Sequence, residues 1–389
     1  MENKNIFLKP KLFKDSFIFT SQEGVIVTQG EAARVRDPFL NVLKRHSDFQ
    51  NSFSNAFAKA KQLGIKNPTL VGAIPFDTRK PSELFIPERI GMVSREALQN
   101  SETCTKCCLK KNQDTECIKK KYISDVKKAL HLIDNESLSK LVLSRECGLL
   151  LPNELDREGL LGHMLSICPS GYPFLVPMSD GGDFVGMSPE LLLSKQGDKI
   201  ISHPFAASLP KDKFTQKQAT ETFLSCGKSL SEHKIVVNDI VERLSPYCES
   251  LDYSTTPSTV ESHSLWHLAT KITGKLKDSS FNSLQLASVI HPTPAVCGLS
   301  TDLAFQKIME IESTPRDLFT GMVGWCDENG DGQWAVSIRC GILKDKEARL
   351  FAGAGIVKES DPLNEWQETE TKLKPMITLL ESSNIYAYE

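Results

Sequence analysis

Residues 334–374 read WAVSIRCGILKDKEARLFAGAGIVKESDPLNEWQETETKLK. From Trp334 to Leu343, Trp334, Val336, Ile338, Cys340 and Ile342 fall on one face and Ala335, Ser337, Arg339, Gly341 and Leu343 on the other. That is the period of a β-strand, and it lifts Arg339 away from the apolar face. After the polar turn Lys344-Asp345-Lys346-Glu347, the run Arg349 to Val357 gathers Phe351, Gly353, Gly355 and Val357 on one side, where two glycines leave a shallow trough. Asp361-Pro362 reads as an N-cap followed by a first-turn proline, which predicts a helix through Leu380 with a bend at Pro375. On that helix Glu365, Glu368 and Lys372 fall within about 60° of one another. They lie beside an apolar stripe of Leu363, Trp366, Leu373, Met376, Ile377 and Leu380. Two adjoining carboxylates suit a divalent ion with oxygen ligands, and a nearby arginine and glycine trough suit an anion completing its coordination. The same spacing also describes a solvated face with a Glu368/Lys372 pair at i,i+4. Spacing does not choose between them.

The 389 residues are 40% hydrophobic and 24% charged, with a net charge of −3. These values describe an ordinary soluble globular chain and argue against a nucleic-acid surface. The N-terminal stretch alternates lysines with apolar residues and lacks a continuous apolar region, and no run approaches a membrane span, so a cytoplasmic location is expected. No Pro/Gly/Ser-rich linker divides the chain. Eleven cysteines are scattered without secretory context, which predicts reduced thiols. Cys104, Cys107, Cys108 and Cys117 cluster among lysines in an insertion spanning 100–121. Cys104 and Cys107 have chelate spacing, but no second such pair and no histidine pair completes a zinc site, so the segment reads as an exposed thiol-rich linker.

In chain order, a strand is predicted at Gly24 to Thr28. A helix follows from Asp37-Pro38 through Leu63, packing through Phe39, Val42, Leu43, Phe49, Phe53 and Phe57. Strands are expected at Thr69 to Pro75 and Glu83 to Ile86, and an exposed lysine-rich helix at 117–135. Lys140-Leu-Val-Leu-Ser-Arg145 is β-prone yet opens on a lysine, and Ser188-Pro189-Glu190 places a carboxylate just ahead of an apolar run. Taken singly, each is an ordinary surface charge at a strand end. One long helix is predicted from Lys213 to Leu244, with Glu232 at the edge of its apolar face. Leu265 to Thr270 reads as a strand in which His267 interrupts the apolar residues, as a satisfied core histidine would. His291-Pro-Thr-Pro-Ala-Val-Cys-Gly298 is a proline-locked loop ahead of a helix from Thr301 to Ile311. Gly353-Ala-Gly355 does not extend to a dinucleotide fingerprint, and no P-loop, nucleophile elbow or zinc-protease motif occurs.

Taken in this order, the segments Lys140–Arg145, Ser188–Leu193, Ser231-Glu-His233, Leu265–Thr270, His291–Ala295, Ile338-Arg-Cys340, Ala352–Ile356 and Glu365-Trp-Gln-Glu368 resemble the chorismate-utilising enzymes. That family includes anthranilate synthase component I, aminodeoxychorismate synthase, salicylate synthase and isochorismate synthase. Ile74-Pro-Phe-Asp77 with Ile86-Pro87, Gly324-Trp-Cys-Asp327 with Gly332-Gln-Trp334, and Arg339-Cys340 are similar to the isochorismate synthases of catecholate siderophore pathways.

The resemblance implies an α+β fold in which two antiparallel sheets pack face to face with helices outside and the site in a cleft between them. Residues 1–389 would form one chorismate-binding domain, of which 1–72 are the less typical N-terminal part. It implies Mg²⁺-dependent conversion of chorismate to isochorismate, with Lys140 as general base for water at C2 and Glu190 as general acid for the departing C4 hydroxyl. Glu232, Glu365 and Glu368 would hold Mg²⁺. Arg339, His267, Ala295, Lys372 and the backbone at Gly353 and Gly355 would bind substrate. A free lysine is neutral only about 0.1% of the time near pH 7.4, so Lys140 would need its pKa lowered and Glu190 would need its pKa raised.

Lys140 argues for water rather than ammonia as nucleophile. Two alternatives remain: a salicylate synthase, which goes on to eliminate pyruvate, and a non-catalytic paralogue. The implied partner is chorismate, with no nucleic acid and no membrane. The chain is taken as a monomer, with association with downstream pathway enzymes left open. One position departs from the family: Ala207 stands where relatives carry glycine, adding a methyl where the backbone needs close approach or φ > 0.

Overall fold

The computed structural model describes residues 15–98, 109–135, 138–152, 156–262 and 265–383. Two large antiparallel sheets form its middle. The first runs in the order Gly298–Leu299, Lys140–Leu150, Glu347–Ile356, Cys340–Lys344, Asp183–Ser188, Tyr172–Pro177, Ile18–Ser21, Gly24–Gln29 and Arg89–Val93, with Lys110–Lys111 also pairing on Lys140–Leu150. The second runs Cys248–Tyr253, Ile272–Leu276, Lys199–His203, Leu191–Gln196, Gly332–Val336, Met322–Asp327, Thr69–Ile74, Glu83–Ile86 and Ala33–Val35. Their inner faces meet in one apolar layer. Phe19, Phe174, Phe184 and Ile342 come from the first sheet, and Val71, Phe85, Val323 and Ala335 from the second. Helices Arg157–Ile167 and Pro362–Ser383 cover the outside of the first sheet through Leu160, Met164, Leu373 and Met376. Helices Asp48–Gln62, Gly227–Leu244 and Ser283–Ile290 cover the second through Phe49, Val236, Ile240 and Leu286. The result is the α+β arrangement anticipated, two sheets between helical layers, with the central strands of each sheet, such as Asp183–Ser188 and Thr69–Ile74, buried on both faces.

A third sheet was not anticipated. Phe205–Pro210, Leu265–Ala269 and Ser258–Glu261 form it, and it lies against helices Gln216–Ser225 and Gly227–Leu244.

Several local expectations are corrected. Trp334 to Leu343 is not one strand: Gly332–Val336 belongs to the second sheet and Cys340–Lys344 to the first, and the chain turns between them at Ser337–Arg339, where Arg339 takes φ 51°. A period of two is kept through the corner, so alternation alone could not reveal it. The helix expected from Asp37 begins at Asp48, capped by Ser47, whose hydroxyl accepts from the Gln50 N–H. Asn41 and His46 hold positive φ in the intervening turns, which a helix cannot contain. The single helix Lys213–Leu244 is two helices, Gln216–Ser225 and Gly227–Leu244, separated by the extended backbone of Cys226 and opened by a Thr215/Gln218 capping box. The lysine-rich helix, Thr115–Asn135, is not exposed all round: Tyr122, Val126 and Ala129 are buried. As expected from Asp361-Pro362, the last helix, Pro362–Ser383, runs past Leu380 with Pro375 inside it. Cys104, Cys107 and Cys108 lie outside the described residues, while Cys117 is an exposed free thiol. Among the described residues no helix is long and apolar enough to cross a membrane.

Candidate active site

The two large sheets exchange chain at two neighbouring corners. At Pro189–Glu190 the chain leaves strand Asp183–Ser188 of the first sheet for Leu191–Gln196 of the second; at Ser337–Arg339 it returns from Gly332–Val336 to Cys340–Lys344. The corners are tied together. The Met187 N–H donates to the Arg339 carbonyl at 2.9 Å, and the Val336 N–H donates to the Glu190 carbonyl at 3.1 Å. Glu190 and Arg339, 149 positions apart in sequence, are thereby presented side by side at the mouth of the sandwich.

The floor comes from the first sheet. Strand Lys140–Leu150 pairs with Glu347–Ile356 so that Val142 faces Gly355 and Ser144 faces Gly353. Lys140, Val142, Gly353 and Gly355 consequently border one cavity of about 250 Å³. The glycines leave room for what lies over them: a methyl at Gly355 would stand 2.9 Å from Lys140 Cε. Helix Pro362–Ser383 begins where Asp361 accepts from the Leu363 and Asn364 N–H groups, which sets its register. That register turns Glu368 and Lys372 to the same cavity, where Lys372 Nζ lies 2.6 Å from Glu368 Oε1 and donates to the Gly353 carbonyl at 2.9 Å. Glu232 and Ser229 enter from helix Gly227–Leu244, Ala295 from the proline-rich loop and His267 from the small sheet.

Every residue proposed from sequence lines this cavity except Glu365. Glu365 is buried one turn before Glu368, close enough to Tyr122 for its charge to help raise that phenol's pKa. Lining residues the sequence reading passed over include Val142, Ser229, Phe319, Thr320 and Phe351. Ser229 was findable, since it precedes Glu232 by one helical turn. Thr320 was not, because its place depends on a left-handed backbone, φ 60°, that nothing in its side chain announces.

Burial shifts the proton affinities. It lowers the Lys140 ammonium pKa, with nearby Lys372 pushing the same way and Glu232 opposing. It raises the Glu190 carboxyl from 4.5 to about 7, against the Phe205 N–H and Lys140, which favour the carboxylate. Arg339 is brought down to about 10 by burial and stays cationic at neutral pH. His267 is pushed to about 3 by burial and by Arg339, so the ring is neutral. Its Nδ1 lies 3.2 Å from the Ala207 carbonyl and 3.0 Å from Ser208 Oγ, and its Nε2 lies 2.7 Å from Ser262 Oγ. A carbonyl only accepts, which places the proton on Nδ1 and lets Nε2 accept from Ser262. Ala207 itself takes φ 51°, at a register shift between Phe205–Pro210 and Leu265–Ala269. The left-handed conformation that its place in the family pattern suggested is therefore adopted by an alanine.

Among the described residues no three His, Cys, Asp or Glu side chains converge into a ready metal cage. Two carboxylates, Glu232 and Glu368, do share the cavity from different helices. This partial set fits Mg²⁺, which takes one or two protein carboxylates and fills its remaining positions with water and substrate oxygens. The cavity can thus take a small anion on Arg339 and Lys372, hold a divalent ion at one end, and present an amine and a carboxyl group whose pKa values are displaced towards the uncharged forms.

A family described as chorismate binding enzyme matches residues 83–381. Isochorismate synthase EntC of Escherichia coli (strain K12) is 38% identical over 377 residues, covering 95% of each chain. The vibriobactin-specific isochorismate synthase of Vibrio cholerae is 36% identical, covering 85% of this chain and 84% of its own. A crystal structure described as a putative 2,3-dihydroxybenzoate-specific isochorismate synthase, DhbC, from Bacillus anthracis superposes with a TM-score of 0.86 at 36% identity, over 94% of this chain and 96% of that one.

Proposed function

The chain belongs to the chorismate-binding enzymes, and on that premise we propose that its cavity exchanges the C4 hydroxyl of chorismate for one at C2. The activity is that of an isomerase, an isochorismate synthase. The observation that carries the assignment of roles is that Lys140 and Glu190 border one cavity from different strands, where burial lowers the lysine's pKa and raises the carboxyl's to about 7.

Neutral Lys140 takes a proton from a water as the water's oxygen bonds to C2. The ring double bonds shift, and the C4–O bond breaks as Glu190 gives its proton to the departing hydroxyl, which leaves as water. One water enters and one leaves; Lys140 ends as ammonium, Glu190 as carboxylate, and a proton passing from the first to the second resets the site. Arg339 forks onto a substrate carboxylate, and Lys372 and the backbone at Gly353 and Gly355 hold the other anionic edge. Ala295 packs beside the ring. His267, neutral and engaged by Ser208 and Ser262, keeps the small sheet against the substrate and takes no proton. Mg²⁺ held by Glu232 and Glu368, with Glu365 behind them, would neutralise the ring carboxylate and draw electron density from the ring.

The pathway is read from similarity to the vibriobactin-specific and 2,3-dihydroxybenzoate-specific relatives, which favours supply of a catecholate siderophore. Purified protein incubated with chorismate and Mg²⁺ is expected to form isochorismate alone and to stop when EDTA removes the metal. Salicylate with pyruvate would instead identify the lyase, and no turnover a binding paralogue.

A further inference from the structure

Behind the cavity wall lies a buried ion pair that none of these roles uses. Glu312 closes helix Thr301–Ile311, and Arg316 follows in the loop beyond it. Arg316 Nε donates to Glu312 Oε2 at 2.8 Å and Nη2 donates to Oε1 at 2.7 Å. The remaining guanidinium hydrogens all go to the wall itself: Nη2 to the Val142 carbonyl at 2.7 Å, and Nη1 to the Val296 carbonyl at 2.8 Å and to Thr320 Oγ1 at 3.3 Å. Glu312 Oε1 in turn accepts the Ser144 N–H at 2.7 Å. The guanidinium stacks over Phe76, 4.4 Å from its ring centre.

Three pieces of chain meet on this one side chain, and each contributes to the cavity. Val142 stands two residues beyond Lys140 on the same strand face; Val296 adjoins Ala295; Thr320 is a β-branched residue at φ 60°, a conformation that persists only where its surroundings enforce it. Among the described residues the backbone hydrogen bonds that join this part of the chain to the strand are Val142 N–H to the Cys297 carbonyl, Ser139 N–H to the Leu299 carbonyl and the short pairing of Gly298–Leu299 on Lys140–Leu141. A planar fork with five donors can hold a carboxylate bidentately and fix two carbonyls and a hydroxyl at set distances at once, which an ammonium with three donors cannot.

We propose that Arg316 is a positioning residue for the isomerisation, its guanidinium setting the distance between the Lys140 strand, the loop that carries Ala295, and Thr320. The proposal rests on the catalytic reading of the cavity given above. It is tested by Arg316→Ala and Arg316→Lys, assayed with chorismate and Mg²⁺ beside the wild type and followed by circular dichroism and thermal melting. The expected result is a kcat lowered about 100-fold, with KM for chorismate within about threefold of wild type, because displacement of a reacting group by about 1 Å costs this much. Millimolar guanidinium should restore at least about tenfold of the Arg316→Ala turnover, and urea at the same concentration should not. If the alanine variant fails to fold, Arg316→Lys, which keeps a cation beside Glu312 but cannot reach all three acceptors, should fold and show the same fall in kcat. A folded variant with wild-type kcat overturns the proposal, as does guanidinium that raises the melting temperature without restoring turnover. Absence of turnover in the wild type is a separate failure, of the catalytic reading itself.

Discussion

Glu190 is a carboxyl group whose pKa burial raises to about 7. In the unfolded chain it would lose its proton near 4.5; in the folded chain it keeps it to about 7. Between those values folding takes up a proton, so this residue's contribution makes stability fall as pH rises through the window and level off above it. Glu190→Gln removes the titrating group. The variant should match the wild type in urea unfolding near pH 4.5 and exceed it by up to about 3 kcal/mol above pH 7. An equal difference at both pH values would mean that the carboxyl is not held protonated. Ala207 gives a second test. A left-handed alanine costs about 1–2 kcal/mol, partly offset because glycine loses more freedom on folding, so Ala207→Gly should stabilise by up to about 1 kcal/mol in the same assay. Lys140, Glu190, Arg339 and Glu368 were legible as candidates because each sits in a recognisable run. The burial that gives the first two their displaced pKa values was not, since it is made by residues distant in sequence.

The strand Glu347–Ile356 carries two glycines with different duties, and alanine at each should separate them. At Gly353 the new methyl would meet the Leu143 carbonyl oxygen at 3.0 Å, so the neighbouring strand must yield. At Gly355 it would meet the mobile end of Lys140 at 2.9 Å. Gly353→Ala is therefore expected to lower stability by about 1–3 kcal/mol. Gly355→Ala should leave stability nearly unchanged and lower kcat by at least about tenfold through displacement of the amine. The reverse pattern, turnover lost at Gly353 and stability lost at Gly355, would contradict this placement of Lys140. At this scale the final strand and helix were read correctly, because alternation and the Asp361-Pro362 cap are local signals. The corner at Ser337–Arg339 and the break at Cys226 were missed, because each is imposed by what the next segment packs against. At the corner the chain moves from one sheet to the other without changing its period. At Cys226 no proline marks the end of the first helix, and the apolar spacing resumes almost in register.

Across the whole molecule the strands of each sheet are drawn from distant parts of the chain. Ile18–Ser21 pairs with both Gly24–Gln29 and Tyr172–Pro177, and Thr69–Ile74 lies between Met322–Asp327 and Glu83–Ile86. The described N-terminal residues thus supply interior strands of both sheets, and on that ground we propose that the chain forms one domain. A chain begun at residue 83 would expose two interior sheet edges and the aromatic layer beneath them; it should be insoluble or unfolded by circular dichroism, and a folded, soluble product would argue for a separable N-terminal unit. The sandwich, its helical layers and the cleft between sheets followed from the ordered motifs. The small third sheet did not, since its strands are short and one of them, Phe205–Pro210, is only half-buried along its length. We propose that the sandwich matters to function because its floor strand and one corner set an amine, Lys140, and an acid, Glu190, around one substrate, and that claim can be measured directly. Lys140→Ala and Glu190→Gln, each confirmed as folded, should lower kcat for isochorismate formation from chorismate by about 10²–10⁴-fold, the range removal of a general base or acid commonly costs. Turnover within about threefold of wild type in either variant would contradict the account.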